Sequence, residues 1–266
     1  MIIDNNWLVE CLLTKKGFMA LRQGNVETTA ILQLEGVYDQ LYTNAGFYGT
    51  EEHFKKWKNE YIRALYNMDC HLEVVTCPSF SICGDLLTNL NIWCPTLVYI
   101  ERIDFWLDLL RIFIKENKKI CVVSYFAEEM KTQFKNIKKI FPHIDLTNLN
   151  LEFVVSDNTI RGNEEHDNWC QTFDFLKRKI NKTNSDIYLV SCGAYGLLLC
   201  NYIKTKEKNS IYVGGLLQML FGLKGSRWDD RNFMNKYYND LWKYPKKKPK
   251  NSEKVEGWCY GGKSTC

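Results

Sequence analysis

Two short segments of this chain carry side chains whose types and spacing could do chemistry. In Arg22-Gln-Gly-Asn-Val-Glu27 a cationic group, a glycine break, an amide and a carboxyl follow closely on one another. Asn25 and Glu27, two apart at a strand-to-helix turn, can direct two oxygens toward one point. Oxygen ligands suit a hard divalent cation such as Mg2+ or Mn2+, and such a cation can bridge a diphosphate. The same pair would also serve a helix start, with Asn25 as the cap and Glu27 beside the positive end of the helix dipole. Spacing alone leaves both readings open.

The second segment is Ser191-Cys-Gly-Ala-Tyr-Gly196. Gly193 and Gly196 lack a Cβ, so the backbone can turn sharply and approach a ligand, while the first amides of a following helix point their N–H groups at an anion. Close strand-to-helix packing would call for the same glycines. Tyr195 in this turn could stack on a base or sugar, or pack beneath the helix. The fuller Gly-x-Gly-x-x-Gly fingerprint is absent, and no strand-to-helix turn carries a Walker-type Gly-Lys-Ser/Thr, which disfavours nicotinamide and P-loop enzymes.

A catalytic base would come from Asp157-Asn-Thr-Ile-Arg-Gly-Asn-Glu-Glu-His-Asp167, the richest titratable stretch at a predicted strand's carboxyl end. Asp157, Glu165 and His166 each qualify by type, and an ordinary solvated loop fits the same residues. His53 and His143 have no matching ligands nearby and read as surface positions. Trp57, Trp93, Trp106 and Trp169 fall among apolar residues and read as core.

These residues need elements to hold them. Apolar runs at Phe18–Leu21, Leu72–Thr76, Thr96–Ile100, Ile120–Ser124, Leu151–Val155, Ile187–Ser191 and Ile211–Val213 read as strands. Helical patterns lie at Glu51–Met68, Phe105–Glu116, Phe126–Ile140, Trp169–Ile180 and Gly196–Lys204, with apolar residues three and four apart. Such alternation predicts an α/β fold, a single domain with a mostly parallel sheet flanked by helices. Ligands in open α/β sheets sit beyond the carboxyl ends of the strands. Strand-end residues are therefore binding candidates: Arg22 and Gly24, Ser79, Ser191, Gly193, Ala194, Tyr195 and Gly196, and Gly214 with Gly215.

With 266 residues, 45% of them apolar and 14% aromatic, the chain can build a sizeable core. Its 11 cysteines are scattered without a Cys-x-x-Cys pair, several within apolar runs, which suggests reduced thiols and a soluble, cytoplasmic protein. Net charge is +4, with lysines concentrated at Lys243, Lys246, Lys247, Lys248, Lys250 and Lys254. We expect a domain over residues 1–242 and a solvated lysine-rich tail over 243–266, able to contact an anionic membrane surface. No matching basic stripe points to nucleic acid.

The Arg22-x-Gly24-x-x-Glu27 turn, the Ser191–Gly196 turn and the Ile211-Tyr-Val-Gly-Gly215 strand together resemble the GT-D class of glycosyltransferases. The resemblance implies a Rossmann-type single domain in which an early Arg-x-Gly-Asp-Gly-Glu segment supplies an Asp-x-Glu motif for metal and nucleotide sugar. It covers nearly the whole chain. It is closer still to a branch found among surface-polysaccharide genes of bacteria and large DNA viruses, through Tyr42-Thr-Asn-Ala-Gly-Phe47, Val75-Thr-Cys-Pro-Ser79 and Tyr212-Val-Gly-Gly-Leu-Leu-Gln218.

The activity implied is transfer of a sugar from a nucleotide-diphosphate donor to a glycan or glycolipid acceptor, assisted by Mn2+ or Mg2+ at Asn25 and Glu27. Arg22 and the Gly193–Gly196 turn would offset leaving-group charge. One position departs from the pattern: the first acid of Asp-x-Glu is Asn25 here, a weaker ligand, so the metal could come bound to the donor or be dispensable. Two rivals remain. A non-catalytic nucleotide or sugar binding module would explain Asn25. An S-adenosylmethionine-dependent methyltransferase is disfavoured because the clearest glycine turn falls late in the chain.

Overall fold

Seven strands form among the described residues, close to the predicted runs: β1 (Met19–Leu21), β2 (Cys70–Val74), β3 (Thr96–Tyr99), β4 (Lys119–Ser124), β5 (Asn150–Val155), β6 (Ile187–Ser191) and β7 (Asn209–Tyr212). They make one sheet in the order β3-β2-β1-β7-β6-β4-β5, with every pairing parallel. The computed structural model describes residues 2–32, 37–74, 80–99, 103–229 and 234–252. The helices are α1 (Asn5–Thr14), α2 (Asn25–Ile31), α3 (Val37–Gln40), α4 (Glu51–Asn67) and α5 (Phe80–Asn89), then α6 (Ile103–Lys115), α7 (Ala127–Phe134), α8 (Ile137–Ile140), α9 (Trp169–Ile180) and α10 (Gly196–Lys204).

The central strands β4 and β6 are almost wholly apolar because both faces of the sheet are covered there. In β4, Ile120 and Val122 face one core while Cys121 and Val123 face the other. Crossovers stepping toward β3 lay α4, α5, α9 and α10 on one side, and those stepping toward β5 lay α6, α7 and α8 on the opposite side with α1. A right-handed crossover requires this division when the direction of winding reverses. Neighbouring strands consequently send their chains to opposite faces in two places. At β1 beside β7, α2 departs to one face and the 3-10 segment Gly214–Phe221 to the other; at β6 beside β4, α10 and α7 diverge in the same way. Such divergence opens a crevice at the carboxyl ends.

Four features differ from the sequence expectations. The pattern over Phe126–Ile140 is two helices, α7 and α8, broken at Asn136, and the break sets Gln133 to donate to the carbonyls of Gly222 (3.2 Å) and Leu241 (3.0 Å). α1 and α5 had no predicted counterpart; α1 starts at Asp4, whose carboxylate accepts from the Trp7 amide at 3.0 Å. Trp57, Trp106 and Trp169 are core, but Trp93 is 88% exposed, on the turn that follows Asn91, which has a left-handed φ of 53°.

The fourth concerns the lysine-rich segment. Residues 243–252 are a strap along the domain instead of a solvated tail. Lys224 donates to the Lys243 carbonyl (2.8 Å), and the amides of Lys246 and Lys247 both donate to the Glu129 carboxylate (2.8 Å each). Lys250 exchanges two main-chain hydrogen bonds with the Asn163 side chain (2.8 and 2.9 Å). Main-chain groups satisfied in this way hold a charged segment in place without a core of its own. Residues 253–266, with Lys254, Val255, Trp258 and Tyr260, lie outside the described residues. Among the described residues no helix is long and apolar enough to cross a membrane.

One side chain ties the amino-terminal helix to the middle of the sheet. Asn209, 6% exposed, accepts from the Phe18 amide (2.8 Å) and donates to the carbonyls of Leu12 and Lys15 (2.8 Å each). Asn209→Ala strands these groups and should cost about 2–3 kcal/mol of stability, read from urea unfolding. A loss below about 0.5 kcal/mol, the ordinary surface range, would show that α1 is held by other contacts.

Candidate functional site

The crevice between β1 and β7 is built from glycines and large polar side chains. Arg22 is the first residue past β1 and is half-buried. Gly214, two past β7, has a φ of 69°, and a Cβ there would lie 2.9 Å from one terminal nitrogen of the Arg22 guanidinium. Arg22 therefore reaches across the end of β7 at a point only glycine permits. Gly215 beside it is half-buried.

Gly24 is the cap of α2, and Asn25 is its first helical residue, so Asn25 is not the cap. The Glu27 carboxyl folds back onto Gly24, where any Cβ would collide with it. Glu27 is 6% exposed. Burial raises its pKa, against the lowering effects of its own backbone amide and of Arg22. Burial likewise drives the hydroxyls of Tyr61 and Tyr212 well above their usual range, with the Glu27 charge adding to both. Glu27 thus lies beneath the turn among Arg22, Tyr61 and Tyr212.

Behind it sits a polar cluster that the sequence reading missed. Gln23, Thr28 and His71 are all buried. The Gln23 side-chain nitrogen lies 3.3 Å from Nε2 of His71, and Thr28 donates to the Gln23 carbonyl oxygen at 3.3 Å. Burial pulls the His71 pKa down to about 4, so its ring is neutral and can accept the Gln23 N–H. A lone histidine inside an apolar strand was the available signal.

The donor set does not fit a divalent cation held by the protein alone. Asn25 offers a neutral amide, and Glu27 a desolvated carboxyl already turned onto its own helix. Among the described residues no three His, Cys, Asp or Glu side chains group as metal ligands.

The late glycine turn is filled from within. A Cβ on Gly193, whose φ is 52°, would collide with the Ala45 carbonyl, and one on Gly196 with the Tyr212 ring. Trp57 donates its indole N–H to the Ala194 carbonyl (2.9 Å), and Tyr212 its hydroxyl to the Gly193 carbonyl (3.3 Å). Tyr195 is 2% exposed and stacks on Phe173, with its hydroxyl 3.0 Å from that of Thr159, so it packs within the core. What enters between Gly193 and the loop beyond β5 is a π-helical turn, Leu41–Ala45, followed by Gly46, whose carbonyl accepts from Thr159.

Beyond β5, Asp157 lies 3.5 Å from Lys179. His166 places Nδ1 3.0 Å from the Thr172 hydroxyl, which in turn is 2.6 Å from the Tyr48 hydroxyl. Glu165 is exposed. Ser191 ends β6, half-buried, directly across from Ser124 of β4. His53 is half-buried and completes the capping box of α4 with Thr50, and His143 is exposed. Ser79 lies outside the described residues. The structure thus brings Arg22, Gly24, Glu27, Gly214 and Gly215 together past the carboxyl ends of β1 and β7 and sets Asp157, Glu165 and His166 on the loop beyond β5. Cys192 stands between: burial raises its thiol pKa, with Asp157 contributing, and Cys192 in turn contributes to Tyr212.

Two outcomes follow from this geometry. Gly193→Ala should lose about 1–3 kcal/mol, the usual cost of forcing a left-handed site, and more if the π turn is displaced; a neutral substitution would mean that Ala45 yields easily. Because Glu27 has a raised folded pKa, the unfolded chain releases this proton first as pH rises, so stability falls across the window from the ordinary carboxylate range to the raised value. Glu27→Gln should therefore match the wild type near pH 4 and melt higher than it at pH 7. A wild type that gains on the variant as pH rises would show that Arg22 and the helix dipole outweigh burial.

No family model matches the chain, and no curated protein matches its sequence. Its fold is similar to that of a solved structure described as a new glycosyltransferase (DUF1792) from Streptococcus sanguinis, with a TM-score of 0.52 and 10% identity over 98% of each chain. The two share a single α/β domain, which here is an all-parallel seven-stranded sheet between helical layers.

Proposed function

We propose that the chain is a glycosyltransferase that takes its sugar from a nucleoside diphosphate donor bound in the crevice between β1 and β7. The observation that carries this reading is Arg22 laid over Gly214 at the point where strand order reverses. A guanidinium there can pair two ways with phosphate oxygens, and Gly214 leaves room for it to lie across the strand end. The similar fold of the DUF1792 glycosyltransferase supports it. Negative charge grows on the leaving diphosphate as the donor bond breaks, and Arg22 is placed to offset it. The acceptor hydroxyl loses its proton to the loop beyond β5, where Asp157 and His166 are oriented by Lys179 and Thr172. The donor set suits a diphosphate that carries its own Mn2+ or Mg2+.

A second reading rests on the burial of Glu27: a binding module that holds a nucleotide or sugar without turning it over. Turnover separates the two, since both require donor binding.

Calorimetric titration of the full chain should show a nucleotide sugar binding more tightly than NAD+ or S-adenosylmethionine. Arg22→Ala should weaken that binding by about tenfold or more, the worth of a charged hydrogen bond, while the variant still unfolds in one cooperative transition. Tight S-adenosylmethionine binding with no response to any nucleotide sugar would remove the reading. Asn25→Asp should strengthen Mn2+ dependence if the metal lies near α2, and an indifferent result favours leaving-group stabilisation by Arg22 alone.

A further inference from the structure

The loop beyond β5 holds an unusual concentration of buried polar atoms with no partner: Ser156 Oγ, Asp157 Oδ2 and Arg161 Nε, within one short stretch. Buried polar atoms are normally paired, so such a cluster calls for a ligand or for ordered water. Looseness of the loop does not account for it. Thr159 is tied to Gly46, the Arg161 carbonyl accepts from the Asn251 amide at 2.9 Å, and Asn163 is clamped to Lys250 of the strap. Arg161 itself is held at φ 43° and ψ 52°, a left-handed conformation that costs a non-glycine residue energy and persists only where the surroundings enforce it.

The π turn faces this loop: a Cβ on Gly162 would lie 3.7 Å from a Glu164 carboxylate oxygen and 3.8 Å from the Tyr42 hydroxyl, so Tyr42 and Glu164 meet there. Burial raises the pKa of the Tyr42 hydroxyl, followed by the charge of Glu164 and a hydrogen bond to it, with Arg161 acting the other way. Burial also raises that of Tyr48, where the charges of Glu164, Asp157 and Asp167 contribute. Tyr42 and Tyr48 therefore bind Asp157, Arg161 and Glu164 into one neighbourhood.

We infer that this neighbourhood, Ser156, Asp157, Arg161 and Glu164 against Tyr42, is a subsite for a neutral sugar ring, and, where the transferase reading holds, the acceptor's. The unpartnered atoms include an acceptor, a donor and a hydroxyl able to do both, a set that matches vicinal sugar hydroxyls. Charge argues against an anion. The loop places Asp157, Glu164, Glu165 and Asp167 against Arg161 and Lys179, and the strap meets it through the main chain of Lys250 and the Asn251 amide. A phosphate would face more carboxylates than cations here, whereas a polyhydroxyl ring uses both signs.

Saturation-transfer NMR with the full chain and the methyl glycosides of glucose, galactose and N-acetylglucosamine tests this. At least one glycoside should give signal in the wild type that inorganic phosphate does not displace. Arg161→Gly relieves the left-handed strain, so it should melt at or above the wild-type temperature while weakening the glycoside by about tenfold or more. Asp157→Asn should weaken it comparably. Absence of signal from every glycoside, displacement by phosphate, or full signal in both variants would overturn the assignment. Failure of nucleotide sugars to bind, with the glycoside signal intact, would sink the transferase reading and leave this subsite standing.

Discussion

The carboxyl-end crevice depends on β1 pairing with β7, two strands separated by most of the chain. Asn209 sits at the foot of that pair and Arg22 over Gly214 at its head. Between them the registered pairs Met19 with Ser210, Ala20 with Ile211 and Leu21 with Tyr212 fix the height of Arg22 relative to the glycine to within one residue. A slip of one position would turn Tyr212 to the opposite core and take Glu27's neighbour away, because side chains alternate along a strand. Long-range parallel pairing of this kind is slow to form, and the short β1 gives it few hydrogen bonds of its own. The buried Asn209 contacts supply part of what the short pairing lacks.

Glycine serves the carboxyl ends in two different ways. At Gly214 the missing Cβ admits Arg22, a side chain that keeps some exposure. At Gly193 and Gly196 it admits the Ala45 carbonyl and the Tyr212 ring, so the space goes to the protein's own chain. The first lets a half-buried cation lie across a strand end; the second locks the π turn between the loops that follow β5 and β6. Helices with an extra residue in a turn recur near functional sites, where they aim side chains that a regular helix could not. Here the turn carries Tyr42 against Glu164 and Arg161.

Much of the architecture was legible in the sequence because strands buried on both sides are rich in apolar residues, and Ile187–Ser191 and Ile120–Ser124 could hardly be anything else. The clustering of Arg22, Gly24 and Glu27 was legible too, since it is local. Three things were not. Glu27 shares its buried surroundings with Tyr61 and Tyr212, which come from other elements, and no spacing rule reports them. The filling of the Gly193 turn depends on a carbonyl contributed by Ala45, about 150 positions earlier. Trp93 has apolar neighbours in sequence, yet it follows the left-handed Asn91 and faces solvent. Local patterns carry element type; they do not carry what another part of the chain brings to the same place.

The strap's anchors are the main-chain amides of Lys246 and Lys247 and the main chain of Lys250, gripped by Glu129 and Asn163. Three side chains of the segment are gripped as well: the Tyr244 hydroxyl donates to Asp229, the Lys247 ammonium lies over the Tyr125 ring, and the Asn251 amide donates to the Arg161 carbonyl. Lys246, Lys248 and Lys250 are exposed and free to drift under selection. Surface charge beside the sheet's carboxyl ends can therefore be rewritten by single substitutions at almost no cost to folding, so relatives of this chain could exchange a basic rim for an acidic or neutral one while keeping the scaffold unchanged.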